Sequence, residues 1–553
     1  MPASRREFLK VFGAAAAATA IPFGDISAQE ETPSGASKHR QHSSGVDFRD
    51  HRDDAYEIRV KRAHVDRKVA IPDHNDNGDE ALYSNRIGNY SKGLPHDSLG
   101  EVDANAYNAY LAAIVSGDPS DFENIPVGGT VLLFNPQSGL AFDLEGLDVV
   151  QTSSPPAPPL ASPDRAAEAV ELYWQAVTRD VLISNYDSDP NAQAAATELS
   201  NLSAFKGPRD PQTGQVTGAT LFRGFTAGDL LGPYVSQFLI LPFSYGPTPA
   251  TQGYKTDLPL SAGGSDYLTS FASWLAAQNG QGPFASAHPD SVSRFPRSGR
   301  DLAAYVHVDQ TYQPYLYALM MLAKMGAPVN PASPYHGSKS QVGGVTFGIG
   351  AIEWLLAEVT LRATKASFFE KWFVHRTLRP EEFGGLVHNT LTNTKQYPLD
   401  PTVLNSGAVQ KVFSANGTYL LPQEYPEGCP QHPSYPEAHG AIAGAAATLL
   451  KWFFDETFVI PNPKVPSDDG LTLNPYLGAD AGQLTVGGEI NKLASNIGIA
   501  RTIAGIHWRS DYELSMLLGE AVAVSVLADL GPTYNESYPG FSFTKFDGTK
   551  VTV

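Results

Sequence analysis

HPSYPEAHGAIAGAAATLLKWF, residues 432–453, sets the fold class, because after Pro436 it changes from a Pro-broken loop to an unbroken run of small and apolar helix formers. His439 falls where that helix begins. Apolar residues recur at helical spacing over about 439–457, and the same period returns at about 164–183, 265–278, 300–325, 345–378, 485–504 and 510–530. Strand-like alternation is scarce and brief. Long helices joined by Gly/Pro-rich loops point to an all-α protein with long connections, and no repeat of fixed period is present.

Working outward, 553 residues suffice for a large core, and 42% hydrophobic with 18% charged residues is a globular composition. The formal net charge of −19 excludes nucleic acid as a natural partner, since phosphate binding needs a cationic footprint. Any bound anion must therefore be caught by a local positive pocket. The single cysteine, Cys429, leaves no intramolecular disulfide and no Cys-based zinc site, only a free thiol or an intermolecular bridge.

At the N-terminus, Ser4-Arg5-Arg6-Glu7-Phe8-Leu9-Lys10 precedes the apolar run Val11 to Ile21, which is the pattern of a twin-arginine export signal over residues 1–28. A periplasmic or extracellular location is expected. Residues 29–60 are polar with little periodicity and read as a flexible arm, with the helical domain spanning 61–553. QTSSPPAPPLASP (151–163) reads as an extended linker inside it. Beyond the signal, no stretch reaches the roughly 18 uninterrupted apolar residues of a membrane span.

Three segments place cations or imidazoles beside Pro or Gly breaks. In KWFVHRTLRPEEFGG (371–385), Lys371 sits late in a helix and Arg379 directly precedes Pro380, where a helix usually stops. In the opening segment, His439 stands at a helix N-terminus, whose unpaired N–H groups suit an anion, with His432 seven residues earlier. In ARTIAGIHWRSDYELSMLLGE (500–520), Arg501 and His507 lie about 240° apart on a straight helix and share a face only if Gly505 breaks it. The i, i+4 spacing of His507 and Asp511 lets the carboxylate orient the ring. Taken together, the segments outline a pocket for a tetrahedral oxyanion.

Lys371/Arg379-Pro380, then Pro436-Glu437-Ala438-His439, then Ala500-Arg501/Gly505/His507/Asp511 resemble, in order and spacing, the vanadium haloperoxidases and related acid phosphatases. NRIGNYSKGLPHDSLGEVD (85–103) and AAYVHVDQTYQPYLYALMMLAKMGAPVNP (303–331) resemble the algal bromoperoxidase branch, so the likeness covers most of 55–535. It implies an all-α fold of two four-helix bundles, vanadate as cofactor, hydrogen peroxide and bromide or iodide as substrates, hypohalous acid as product, and a homo-oligomer. By the same resemblance His507 bonds the vanadium, Lys371, Arg379 and Arg501 neutralise its oxygens, His439 is the acid/base, and His432 is an accessory pocket histidine. Phe368, one turn before Lys371, is a candidate wall of the halide pocket.

The family's Ser-Gly before the acid/base histidine is Glu437-Ala438 here. An ionised glutamate accepts hydrogen bonds and repels an oxyanion, so the cofactor binds weakly, or Glu437 is protonated, or it swings away. The same cradle also suits a phosphate ester, with His507 as nucleophile and His439 protonating the leaving group. A vanadate-free relative is the third reading. Asp73-His74-Asn75-Asp76-Asn77-Gly78 begins like a calcium loop, but its twelfth position is Ser84 rather than Glu, which favours a plain turn. Gly348-Ile349-Gly350 lacks the third glycine of a dinucleotide fingerprint.

Overall fold

The computed structural model describes residues 48–553, and the twin-arginine reading of 1–28 lies outside them. Within this range the chain is mainly helical, as the periodicity requires. Twelve helices have eight or more residues. The first nine are α1 (Phe48–Asp66), α2 (Ala104–Ser116), α3 (Pro163–Thr178), α4 (Pro190–Asn201), α5 (Phe271–Gln278), α6 (Gln313–Met325), α7 (Ile349–Phe369), α8 (Pro380–Leu391) and α9 (Gly407–Asn416). The last three, α10 (Ala438–Phe453), α11 (Val486–Ile503) and α12 (Arg509–Leu530), carry much of the site. The described strands form four two-stranded antiparallel sheets.

α7, α10, α11 and α12 pack on one another, while α3 gathers α4, α9 and the short helix Pro401–Leu404. The closest seam is α10 against α12, and its closeness is written in glycines. A Cβ on Gly440 would stand 2.9 Å from the Ser515 Cβ, and one on Gly444 or Gly519 would collide with the Met516 or Ala441 carbonyl. Peptide therefore rests on peptide, which fixes the height of His439 on its helix. α12 is long and apolar enough to cross a membrane by length and composition, and here it spends that apolar surface against α10 and α7.

Four local readings change. Residues 48–60 of the supposed flexible arm are helical, and the boundary drawn at 60/61 falls inside α1. Ala55, Ile58, Arg62 and Asp66 recur at helical spacing as its half-buried face, and Arg62 pairs with Asp529. Residues 151–163 are largely extended but not a free linker: Ala157 and Leu160 are buried, and the Pro155 carbonyl accepts from the Tyr435 hydroxyl. Pro380 starts a helix instead of ending one. It occupies the first turn of α8, where its missing N–H costs nothing, and Glu382 accepts from the Arg379 backbone N–H at 2.7 Å. Finally, the expected 300–325 helix breaks between Gly299–Tyr305 and α6, and the intervening loop carries Asp309.

The chain after α7 loosens into a π turn, Glu370–His375, which ends at Arg376 in the left-handed region with φ 42°. No Gly or Pro dictates this. Trp372 is fully buried there, edge-on to Tyr90 and Tyr110 with ring centroids 5.9 and 5.8 Å away, and the Tyr90 amide bonds the Arg376 carbonyl. Truncating such a side chain to alanine typically costs about 3–5 kcal/mol. The anchored indole aims Lys371, its neighbour, into the site.

Candidate functional site

Arg379, Lys371 and His507 converge as the sequence proposed, and Gly505 is what lets the third segment join them. With φ +88° it breaks the chain between α11 and α12, so that Arg501 on α11 and His507 before α12 both turn inward. Asp511 accepts from His507 Nδ1 at 2.8 Å, from the Trp508 amide at 3.0 Å and from the Ser434 hydroxyl. That fixes the tautomer: Nδ1 carries the proton and Nε2 offers its lone pair. Arg379 Nη1 donates to this Nε2 at 2.8 Å. Burial, with Arg379 and Lys371 close by, holds the imidazole pKa well below its ordinary value, so the ring is neutral.

Arg379 is wholly buried, yet no carboxylate meets its guanidinium; its remaining donors go to the His432 and Ile506 carbonyls and to His432 Nδ1 at 2.9, 2.8 and 3.0 Å. Lys371 is equally buried and donates to the Pro433 and Ser434 carbonyls at 2.9 and 2.8 Å. Burial and Arg379 push its pKa well down. An arriving anion would reverse that shift, so the cradle gains charge as it gains a guest.

Arg501 donates to the Val306 carbonyl at 2.9 Å and to His439 Nε2 at 2.7 Å. Asp309, which the sequence reading missed, stands 3.2 Å from the same His439 nitrogen and 3.6 Å from Arg501. It lies in AAYVHVDQTY, one of the stretches behind the family likeness, but a lone acid between two helices gives no pattern to find. Burial and Arg501 lower the His439 pKa, and Asp309 opposes them. The ring therefore waits neutral beside a carboxylate ready to hold its cation.

Glu437 precedes α10 as its N-cap residue and is fully buried, with Oε1 3.8 Å from Arg501 Nε. It has not swung away. Burial pushes its carboxyl up to about 8 against the pull of Arg501, which favours the protonated form at neutral pH. Both of its oxygens and Arg501 Nε are buried without a hydrogen-bond partner. Such orphans cost about 1–3 kcal/mol each unless something meets them, and they point into the cradle. Ala438 follows in the first turn of α10, where the helix leaves its leading N–H groups without intrahelical acceptors.

These donors fit an oxyanion with a metal centre better than a bare metal ion: three cations would suit its oxygens, one neutral imidazole nitrogen its centre, and the orphaned groups the rest. His432 lies between Phe368 and Phe134, with ring centroids 5.4 and 5.8 Å away; Phe134, from a loop, escaped the sequence reading. Cys429 is buried, which leaves no surface thiol for an intermolecular bridge. The calcium-like stretch closes as a turn, with Asp76 accepting from the Gly78 amide and Asn77 bonding Asp79.

The family described as the VCPO second helical-bundle domain matches residues 408–534, which hold the second and third motif segments. The vanadium-dependent bromoperoxidase of Corallina pilulifera is 33% identical over 90% of this chain and 98% of its own. That of Ascophyllum nodosum is 35% identical over 84% and 86%. Among solved structures, the homohexameric second vanadate-dependent bromoperoxidase of A. nodosum superposes with a TM-score of 0.87 at 29% identity, covering 95% of this chain and 94% of that one.

Proposed function

The chain belongs to the vanadium-dependent haloperoxidases, and from that premise we propose which of its side chains hold vanadate and move protons in the oxidation of halide by hydrogen peroxide. It is an enzyme of that activity. Vanadate, when bound, supplies a Lewis-acid centre that makes peroxide electrophilic toward halide. His507 Nε2 would hold the vanadium, and Asp511 keeps the lone pair aimed. Lys371, Arg379 and Arg501 neutralise the oxygens. The α10 N-terminus beside Ala438 adds N–H groups. His439 would accept and return a proton at its Nε2 beside the bound group, and Asp309 would stabilise the imidazolium that forms. His432, Phe368 and Phe134 wall the halide approach.

One observation carries this assignment: a neutral imidazole with a fixed tautomer turns its lone pair to Arg379, a buried cation that no carboxylate meets. The phosphatase alternative would use the same residues, with His507 attacking phosphorus, but the named relatives are bromoperoxidases. Bromide or iodide is the proposed halide. Export through the twin-arginine route is proposed on Arg5-Arg6 and the apolar run that follows. A homo-oligomer is proposed on the likeness to a homohexameric enzyme.

The test incubates apo-protein with orthovanadate, peroxide and bromide and follows bromination of a phenolic dye beside a phosphomonoester assay. Bromination that requires vanadate is expected. Phosphate release without bromination would overturn the reading.

A further inference from the structure

Glu437 is an unusual component for an anion pocket. Its carboxyl is fully buried, both oxygens lack partners, and the charged groups around it come from every wall: Arg501 on α11, Asp511 on α12, Lys371 in the π turn and Arg379 before α8. Three of these are cations that would welcome any oxyanion. A carboxyl added to them does not add attraction; it adds a condition.

We propose that Glu437 makes the cradle selective for oxyanions that carry a hydroxyl, because one proton must lie between its carboxyl and the nearest ligand oxygen. Hydrogen vanadate and hydrogen phosphate bring that proton themselves in mildly alkaline water, whereas sulfate brings none. With the proton in place, the two oxygens share a hydrogen bond of the strong, charge-assisted kind. Without it, two lone-pair-bearing oxygens face each other in a buried site, and the penalty is that of an unsatisfied charged group. Glu437 thus filters the guests of the site by their hydrogen-bond donors, a task the neighbouring Lys371, Arg379 and Arg501 cannot perform, since Lys and Arg only donate.

The inference rests on the oxyanion reading of the cradle, but its test is independent of halide oxidation. Apo-protein is titrated by calorimetry with orthovanadate, phosphate and sulfate at a pH more than one unit above the value of about 8 where Glu437 gives up its proton, so that taking a proton from water to seat sulfate costs at least about tenfold. The wild type is expected to bind vanadate and phosphate at least about tenfold more tightly than sulfate, the scale of one hydrogen bond to a charged group. Glu437→Ser, which keeps a good helix N-cap, and Glu437→Gln, which keeps the shape and adds a donor, should each gain sulfate affinity and bring the ratio to within about threefold. Thermal unfolding checks that both variants fold. A wild type that binds sulfate as well as phosphate, one that binds none of the three, or folded variants that both keep the full ratio, would overturn the proposal. Vanadate-dependent bromination can fail while the ratio holds, and then only the haloperoxidase assignment falls.

Discussion

Two groups of buried arginines flank the Gly505 turn and are satisfied in opposite ways. On one side Arg179 and Arg300 meet Asp180, Asp266 and Glu424. Arg300 lies 2.6 Å from Glu424 and 3.0 Å from Asp266, and Arg179 lies 2.7 Å from Asp266. Arg179 also bonds the Ile503 and Pro422 carbonyls, and the Glu424 amide bonds the Ala504 carbonyl, so this closed network braces the turn. On the other side Arg379 has carbonyls and imidazoles but no carboxylate, and Arg501, with Asp309 3.6 Å away, still keeps an orphaned Nε. A closed ion network spends its charge inside the protein and contributes rigidity. An open one reserves its charge for a guest. The first holds the turn still so that the second can stay incomplete.

The sharpest way to break this contrast is Arg300→Met, which leaves Glu424 with only Arg179, 3.4 Å away, in a buried place. Removing one member of such a pair costs about 3–5 kcal/mol, expected as a lower midpoint in urea unfolding, and vanadate affinity should change far less once the protein is saturated and folded. Arg379→Ala should do the reverse. Stability is expected to move little by the same urea measurement, while turnover in dye bromination falls by roughly 10²–10³, the usual loss for one preorganised donor to an oxyanion. If instead both variants lost stability alike, the division into closed and open networks would not stand.

A smaller effect is expected at the edge of the cradle. Asp309 raises the His439 pKa against burial and Arg501, so Asp309→Asn should lower it further. The sign follows directly: the imidazole then gains its proton only at lower pH, and the acidic limb of the bromination profile should move to lower pH. A limb that stays in place or moves upward would remove Asp309 from the proton path.

The helices and the cradle were legible from sequence for different reasons. α10, α11 and α12 announce themselves by small and apolar residues at helical spacing, and the five residues Lys371, Arg379, His439, Arg501 and His507 by their order beside Pro and Gly breaks. Helices α2, α4 and α9 fell outside the periodic windows. Their N-termini are set by Asp103, Asp189 and Ser406 caps, a signal of one residue each. The π turn was invisible in KWFVHR because the cause lies some 280 residues earlier, in Tyr90 and Tyr110 packing on Trp372. Asp309 and Phe134 arrive on loops, where only the finished fold decides what they face. The departure from the family pattern at Glu437-Ala438 was visible at once, but the burial of Glu437 and its unpartnered oxygens were not.

The glycine seam between α10 and α12 bears on how such an enzyme can diversify. Because Gly440, Gly444 and Gly519 bring two backbones together without intervening side chains, the spacing between the helix that carries His439 and the helix that follows His507 does not depend on any rotamer. Neighbouring core positions can drift in identity without retuning the chemistry, whereas a single added methyl group along the seam would spread the two helices. The geometry is thereby exacting at three positions with no functional group at all.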